Sequence, residues 1–93
     1  MSIETKSQPF ETELQGKYLP EGGDDATKQR VKWLCDHYLT ELVVNHEMWE
    51  VLYQDPEDGR YWERTEPQNG FMTEPTKLSV LSREQVRAKY NLL

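Results

Sequence analysis

The chain has 93 residues, 35% of them hydrophobic, and a formal net charge of −6. This length leaves room for one domain with a thin core, and a lone cysteine excludes an internal disulfide or a cysteine-based metal site. The sequence shows neither the apolar stretch of a signal peptide nor a run long enough to span a membrane, so we expect a cytoplasmic protein.

The start of the chain, over residues 1–10, has no hydrophobic periodicity, and we expect it to form a disordered tail. A single domain is then predicted over residues 11–93. Within it, residues 12–19 have the pattern of a short strand or an ordered arm. The run Pro20-Glu21-Gly22-Gly23 breaks the chain before the next element.

A helix over about residues 26–39 is the clearest prediction from the pattern. Its apolar side chains recur at spacings of three and four, which places them along one face. They are Val31, Leu34, Cys35, Tyr38, Leu39 and Leu42. Asp24 or Asp25 can cap this helix, because a side-chain oxygen there accepts hydrogen bonds from the free amides of the first turn.

A β-hairpin is predicted in the middle of the chain. After the β-branched start of a strand at residues 42–44 and a turn at 45–47, residues 48–54 alternate between two faces. The turn at residues 55–59 has proline and glycine at positions that favour a tight reversal. Residues 60–66 are then predicted as the returning strand.

The remainder of the chain predicts a third strand over residues 76–81 and a final helix. Ser82 and Gln85 have the spacing of a capping box, and Val86 and Tyr90 share one face of that helix. Together these elements predict an α+β fold, with an N-terminal helix, a small antiparallel β-meander and a short C-terminal helix in two layers.

Charge is unevenly distributed along the chain. Residues 36–74 contain ten acids and two arginines, a formal charge of −8, whereas residues 75–93 carry +3. An acidic middle repels phosphate backbones, which argues against nucleic acid as a direct partner, and it attracts a basic protein surface. The alternative interpretation is a solvated face that keeps the protein in solution.

The residues do not form a recognisable catalytic, metal or cofactor site. Cys35 and His37 are two positions apart on a helix and therefore face different directions. The acids of the turn at residues 55–59 lack the glycine position and the closing acid of a calcium loop. Glu50 and Glu63 can meet across the hairpin, and we interpret them as surface charge. We therefore expect neither an enzyme nor a cofactor.

Aromatic side chains are concentrated in the hairpin, among its acids. Tryptophan, tyrosine and arginine dominate the energetic centres of protein interfaces. At least one of Trp49 and Trp62 is needed in the core of a domain this small. Tyr61 and Trp62 point to opposite faces of one strand, so one of them is a candidate for an exposed anchor.

The hairpin carries the pattern Trp49-x-x-Leu52-Tyr53-x-Asp55-Pro56-x-Asp58-Gly59-Arg60-x-Trp62-Glu63-x-Thr65. This pattern resembles the signature of the immunity protein 27 family of bacterial polymorphic toxin systems. Other landmarks of that family are similar at Leu14-x-Gly16, at Arg30-Val31 with Leu34 and Leu39, and at Ala88-Lys89-Tyr90. The resemblance therefore covers most of the chain from about Glu11 onward.

The sequence departs from the family pattern at two places. The family has Thr-Tyr-Pro after the second strand of the hairpin, where this chain has Thr65-Glu66-Pro67. The family also has a glycine-rich loop that ends in paired prolines, and residues 69–75 replace it here. The resemblance therefore does not predict the shape of that loop.

The resemblance implies a cytoplasmic immunity protein that binds a cognate toxin and neutralises it by stoichiometric protein–protein inhibition. We expect a basic toxin. A nuclease is one candidate, because an acidic protein can occupy a phosphate-binding cleft as a substrate mimic. The residues predicted to bind the toxin are Trp49, Asp55, Glu57, Asp58, Arg60, Trp62, Glu63 and Glu66.

Two alternatives stay open at this point. Several residues of the turn, namely Asp55, Pro56, Asp58 and Gly59, can serve the turn itself rather than an interface. The chain can also be a housekeeping adaptor or scaffold whose open hairpin edge accepts a protein or peptide partner. The oligomeric state does not follow from either reading.

Overall fold

The computed structural model describes residues 4–16, 25–47, 49–65 and 76–92. Its elements in chain order are β1 (Glu13–Gln15), α1 (Ala26–Trp33) with a π-helical continuation (Leu34–Tyr38), β2 (Thr40–Asn45), β3 (Glu50–Gln54), β4 (Tyr61–Thr65), β5 (Lys77–Leu81) and α2 (Arg83–Tyr90). In these four stretches no helix has both the length and the apolar character needed to cross a membrane.

The first helix begins at its predicted cap. Asp25 Oδ1 accepts a 2.8 Å hydrogen bond from the amide of Lys28. The helix widens into a π-helical turn, which closes with a 2.7 Å bond from the Leu39 amide to the Leu34 carbonyl. The backbone then extends into β2. Val31, Leu34, Cys35 and Leu39 are buried, as the apolar spacing predicted. Tyr38 of the same predicted face is half-buried, and Leu42 lies in β2 and is exposed, because the helical stretch ends at Tyr38.

Five antiparallel strands form one sheet in the order β1-β5-β4-β3-β2. The strands β2 to β5 form the predicted meander of consecutive neighbours. β1 precedes α1 in the chain but pairs with β5, with Leu14 opposite Leu78. The α+β class is therefore confirmed, with the difference that a strand precedes the first helix.

One face of the sheet packs against α1. Tyr53 on β3 lies opposite Trp62 on β4, and both side chains belong to the main core. That core consists of Leu14, Val31, Leu34, Cys35, Leu39, Tyr53, Trp62 and Leu78. Its two large aromatic rings supply much of the buried area that a chain of this length needs.

The second helix, α2, packs against the opposite face. Side chains alternate along a strand, so Leu52 and Glu63 point away from the Tyr53–Trp62 pair that faces α1. On this second face Tyr90 of α2 donates a 2.6 Å hydrogen bond to Glu63. The sequence predicted helices and sheet in two layers, whereas the two helices flank the sheet on both sides.

The start of α2 has the predicted capping box. Ser82 Oγ accepts a hydrogen bond from the Gln85 amide at 3.1 Å, and the Gln85 side chain accepts one from the Ser82 amide at 2.7 Å. Val86 of α2 and Leu52 of β3 are fully buried but do not belong to the main core. They indicate a second, smaller core beneath α2, which explains why the central hairpin is buried on both faces.

Gly16 marks a close approach between the end of β1 and the start of α1. A Cβ atom at this position would lie 2.5 Å from Asp25 Oδ1 and 2.7 Å from the Lys28 amide nitrogen, which leaves no room for a side chain. Because Asp25 is the cap of α1, glycine here allows the helix to begin directly against the strand.

Candidate functional site

Asp55 organises the turn between β3 and β4. Its carboxylate accepts hydrogen bonds from the amides of Glu57 at 2.8 Å and Asp58 at 3.2 Å. It also accepts bonds from the hydroxyls of Ser7 and Tyr38, the latter at 2.9 Å. The Asp55 side chain is buried, with 1% of its surface exposed. Asp55 therefore organises the turn from inside the fold, and its direct contact with a partner stays a prediction from the sequence.

The hydrogen bonds also set the protonation state of Asp55. Burial by itself raises the pKa of this carboxyl, but the bonds from Ser7, from the Glu57 amide and from Tyr38 hold the pKa below its ordinary value of 3.8. Burial first, and then the neighbouring Asp55 carboxylate, raise the pKa of the Tyr38 hydroxyl. At neutral pH the turn is thus held together by a charged carboxylate and a neutral phenol.

Arg60 joins the turn to the beginning of the chain. Its guanidinium donates to the main-chain carbonyls of Gln8 at 2.9 Å and Glu11 at 2.6 Å, and to the Asp58 carboxylate at 2.8 Å. The guanidinium carbon lies 5.1 Å from the centre of the Trp62 ring. These contacts are all internal, so Arg60 shapes the turn and its surroundings.

Arg30 on α1 holds the same segment from another side. It donates to the carbonyls of Thr5 at 2.9 Å and Lys6 at 2.7 Å, and it forms a bidentate pair with the Glu11 carboxylate. The sequence predicted a disordered tail over residues 1–10, whereas the described residues of that range, 4–10, make specific contacts. Contacts to main-chain carbonyls leave no hydrophobic pattern in a sequence, which is why the prediction missed them.

Glu57 and Asp58 are exposed acids of the turn. Glu57 accepts a 2.7 Å hydrogen bond from Lys6 Nζ, and its other carboxylate oxygen lies 3.2 Å from the Tyr38 hydroxyl, whose one proton has the nearer Asp55 carboxylate as acceptor. Asp58 pairs with Arg60 at 2.8 Å. The exposed Lys6–Glu57 pair contributes little to stability, whereas the Asp58–Arg60 pair is partly buried. Since both residues are exposed, their carboxylates stay accessible to a basic partner.

Trp62 lies in the main core with none of its surface exposed. A partner could touch it only if the sheet separated from α1, so the structure gives Trp62 a role in packing, and its role in binding stays a prediction from the sequence. A small domain needs the buried area of a large ring, as we expected from the sequence for at least one of the two tryptophans. Tyr61, on the other face of β4, is half-buried.

Glu63 is buried as well, at 5% exposure, together with Glu50 at 8%. Lys89 of α2 bridges the two carboxylates, with its Nζ 2.5 Å from Glu50 and 2.7 Å from Glu63. The interpretation of these glutamates as surface charge is wrong, because α2 covers them and supplies the cation. Glu63 therefore attaches α2 to the sheet, and its direct contact with a partner stays a prediction from the sequence.

Trp49, in contrast, has 63% of its surface exposed. Its φ of 54° lies in the left-handed region, which a bulky side chain rarely adopts. This conformation interrupts the alternation that the sequence predicted, and most of the Trp49 side chain is exposed whereas Tyr53 is buried. A strained backbone that presents a tryptophan to solvent is typical of an interaction site.

A groove of about 570 Å³ lies beside Trp49, on the side of the sheet that faces α1. Val44 and Trp49 belong to its apolar lining, and Asp36 and Glu41 to its acidic lining. Sequence reasoning missed this part of the site. The available signal was an apolar strand, containing Leu42 and Val44, within a stretch from residue 33 to 59 that has seven acids and neither lysine nor arginine.

Among the residues predicted from the sequence, Trp62 and Glu63 lie on β4 opposite the middle of β3 (Glu50–Gln54), and Trp49 and the turn residues lie at opposite ends of β3. The turn residues follow the strand and Trp49 precedes it, so the strand length separates them by about 17 Å. Glu66 lies outside the described residues. Among the described residues, no group of three or more His, Cys, Asp or Glu side chains is placed to hold a metal ion.

The sequence model of the immunity protein 27 family matches residues 21–82, about two thirds of the chain. The chain belongs to the immunity protein 27 family. Comparisons with curated proteins and with solved structures returned no significant match.

The immunity protein 27 match runs from before α1 to Ser82, the N-cap of α2. It includes α1 and the whole β2–β5 meander, and with them the turn, the groove and Trp49. Three parts of the structure lie outside the matched range and contact it: β1 pairs with β5, the carbonyls of Gln8 and Glu11 bind Arg60, and α2 binds Glu63. The turn, the groove and Trp49 therefore lie within the matched range, whereas Ser7 and Lys89, which bind buried carboxylates of the hairpin, lie outside it.

Proposed function

We propose that this chain is an immunity protein that binds a cognate bacterial toxin and neutralises it by stoichiometric protein–protein inhibition, without catalysis. The observation that carries the proposal is the immunity protein 27 match over residues 21–82. In this proposal the chain acts in the cytoplasm of the cell that produces the toxin and of its siblings. Neither nucleic acid nor a membrane is a direct partner.

The charge of the chain supports a basic toxin. Residues 33–59 contain seven acids and neither lysine nor arginine, and five of those acids are exposed: Asp36, Glu41, Glu47, Glu57 and Asp58. Such a surface accelerates the encounter with a basic partner and selects against acidic ones. A nuclease is the toxin class that fits best, because a phosphate-binding cleft is basic and carboxylates can take the place of its phosphates.

Exposure divides the residues expected to bind the toxin. Trp49, Glu57 and Asp58 fit direct contact, since their side chains reach solvent. Arg60 fits an indirect role, because its hydrogen bonds shape the turn that carries the acids. Glu66 stays a prediction from the sequence.

Co-expression of the chain with the candidate toxin encoded by the adjacent gene tests this function. We expect survival of the cells and a stoichiometric complex that co-purifies. An unrelated toxin is the control, and it should kill the cells whether or not the chain is present. Killing by the cognate candidate in the presence of the folded chain, without a complex, would contradict immunity and favour the adaptor or scaffold alternative.

The substrate-mimic part of the proposal needs a separate measurement. If the carboxylates occupy a phosphate-binding cleft, a short oligonucleotide and this chain should compete for the toxin. An oligonucleotide that binds the complex as tightly as it binds the free toxin would place the contact away from the active site. That outcome would leave immunity intact and remove the mimicry.

A further inference from the structure

The strand β2 (Thr40–Asn45) is an outer strand of the sheet, and β3 pairs with one of its sides. No described element pairs with the other side. Proteins usually protect such an edge with lysine, proline, a bulge or a covering element. β2 contains neither lysine nor proline, and a bulge between Glu41 and Val43 is the protective feature present. Among the described residues, no strand therefore covers the edge beside Val43 and Val44.

Apolar side chains are exposed along the same edge. Leu42 and Val44 of β2 are 39% and 40% exposed, and Trp49 of the following loop is 63% exposed. Together with Phe10 they are the large apolar side chains that are exposed in the described part of the chain. Three of the four thus lie on one open edge and its loop, which is the composition expected of a surface that a partner covers.

Charge distinguishes between the possible occupants of this edge. Asp36 and Glu41 line the groove beside β2, and Glu47 lies in the next turn. Arg64 is the one arginine or lysine among the described residues that line the groove. Two copies of this chain paired edge to edge would bring their acids together, whereas a basic segment would neutralise them.

We propose that β2 and the groove beside it form the docking surface for an extended, basic segment of the toxin, which adds to the sheet as a further strand. This inference rests on the proposed function and assigns its contact surface. Main-chain hydrogen bonds along β2 supply part of the affinity. A lysine or arginine of the segment lies in the groove, with its aliphatic stem against Val44 and Trp49 and its charge toward Asp36 and Glu41.

Three variants test the docking surface with the toxin encoded by the adjacent gene. Trp49→Asn removes the ring but suits a left-handed backbone, and Val44→Lys places a charge of the partner's sign on the edge. Glu41→Lys reverses a charge of the groove. We expect each to weaken binding, measured by calorimetry, by about tenfold or more, with an unchanged unfolding midpoint.

Matched substitutions outside the surface serve as controls. Phe10→Asn removes another exposed aromatic ring, and Glu84→Lys reverses an exposed acid on α2. Neither residue lines the groove, so both variants should bind like the wild type. Hydrogen exchange provides a direct readout, because the amides of β2 should be protected in the complex and those of β1, at the other edge, should not.

The outcomes separate this inference from the function on which it rests. A wild-type chain that neither protects cells nor binds the toxin contradicts immunity, and the docking surface with it. A wild-type chain that binds while all three variants bind equally well overturns docking at β2 and leaves immunity standing. A dimer of the free chain that Val44→Lys abolishes would assign the edge to self-association and overturn the proposal.

Binding of a synthetic peptide tests the docking surface without the toxin. A peptide of alternating lysine and valine should shift the NMR signals of residues 40–45 and of the Trp49 indole. A peptide of alternating glutamate and valine is the control and should leave them unchanged. Equal shifts with both peptides, or shifts confined to α2, would overturn the proposed selectivity for a basic segment.

Discussion

Individual residues of the hairpin divide into those that make the turn and those that meet solvent. Asp55 and Arg60 direct their hydrogen-bonding groups inward, and Gly59 adopts a φ of 77°. Trp49 and Glu57 face outward. The turn residues can therefore be tested by stability alone, without a partner, and the outward residues by binding.

Gly59 offers a test of backbone conformation. An added Cβ atom would meet nothing within 4 Å, so substitution changes only the energy of the backbone. Because φ is 77°, we expect Gly59→Ala to lower the free energy of unfolding by about 1 kcal/mol, and Gly59→Asn to lower it less. Urea unfolding followed by tryptophan fluorescence measures both. An alanine variant as stable as the wild type would contradict the left-handed conformation.

Asp55 makes the turn sensitive to acid. Burial raises its pKa, but the hydrogen bonds outweigh burial, so the folded-state pKa lies below 3.8. A carboxyl whose pKa is lower in the folded state than in the unfolded state stabilises the fold at pH values above its ordinary pKa. This stabilisation is lost as the pH falls through the folded-state pKa. We expect Asp55→Asn to be about 2 kcal/mol less stable at neutral pH, because buried donors lose a charged acceptor.

The pH dependence of stability distinguishes this explanation from a simple packing defect. Below about pH 4 the wild type should lose stability more steeply than Asp55→Asn, as measured by urea unfolding at several pH values. Asp36→Asn, at an exposed acid, is the control and should keep the wild-type slope. Parallel curves for Asp55→Asn and the wild type would show that Asp55 does not carry the acid sensitivity.

At the scale of elements, α2 is attached to the sheet by one lysine between two buried glutamates. Lys89→Met leaves Glu50 and Glu63 without their cation. We expect the free energy of unfolding to fall by about 2 kcal/mol, below the values for fully buried pairs because the Lys89 side chain is 40% exposed. Lys77→Met, which removes an exposed contact to Glu13 at 3.5 Å, should change it by less than about 0.5 kcal/mol.

Stability at alkaline pH also tests the attachment of α2 to the sheet through Lys89. Burial lowers the pKa of Lys89, but the hydrogen bonds to Glu50 and Glu63 outweigh burial and raise the pKa above 10.5. An amino group whose pKa is higher in the folded state stabilises the fold at pH values below its ordinary pKa. This stabilisation is lost as the pH rises through the folded-state pKa. The wild type should therefore lose stability above pH 10.5 more steeply than Lys89→Met in urea unfolding, and equal slopes would contradict the bridge.

The segment over residues 4–11 depends on the two arginines that hold it. Arg30→Lys retains the charge but not the fork that reaches Thr5 and the Glu11 carboxylate together. We expect faster cleavage by trypsin after Lys6 in this variant than in the wild type, because the released segment fits a protease. Arg83→Lys on α2 is the control. Equal cleavage rates would show that Arg30 does not secure the segment.

Elements that rest on local chemistry followed from the sequence. Asp25 caps α1, the proline–glycine turn forms the hairpin, and Ser82 starts α2. The sequence did not reveal that α2 covers the second face, because the contact between Lys89 and Glu50 joins residues 39 positions apart. Periodicity describes one element at a time, and it is silent about which of two faces a short helix chooses.

The candidate site was predictable in its composition but not in its exposure. The motif drew attention to the hairpin, whose Trp62 and Glu63 are buried and whose Trp49 is exposed. The left-handed backbone conformation of Trp49 accompanies its exposure, and residue spacing does not predict that conformation. The open edge at β2 also required the sheet order, since an apolar run such as residues 42–44 predicts a strand but not its place in the sheet.

At the scale of the whole molecule, the charge of −6 predicts how association depends on salt. If long-range attraction brings a basic toxin to the acidic side of this chain, added NaCl should lower the association rate constant and affect dissociation less. Stopped-flow fluorescence at low and high ionic strength measures both constants. The Glu84→Lys variant changes the net charge as Glu41→Lys does and serves as its control. An association rate that does not respond to salt would contradict steering.

Residues 4–11 are held mainly through their main-chain carbonyls, and this has a consequence for how the protein can evolve. Arg30 and Arg60 donate hydrogen bonds to the main-chain carbonyl oxygens of Thr5, Lys6 and Gln8. A main-chain carbonyl is present whichever amino acid occupies the position. Substitutions at these three positions should therefore be tolerated with little effect on the fold. The outward surface of the segment can change its chemistry from one lineage to another while the domain beneath it stays the same.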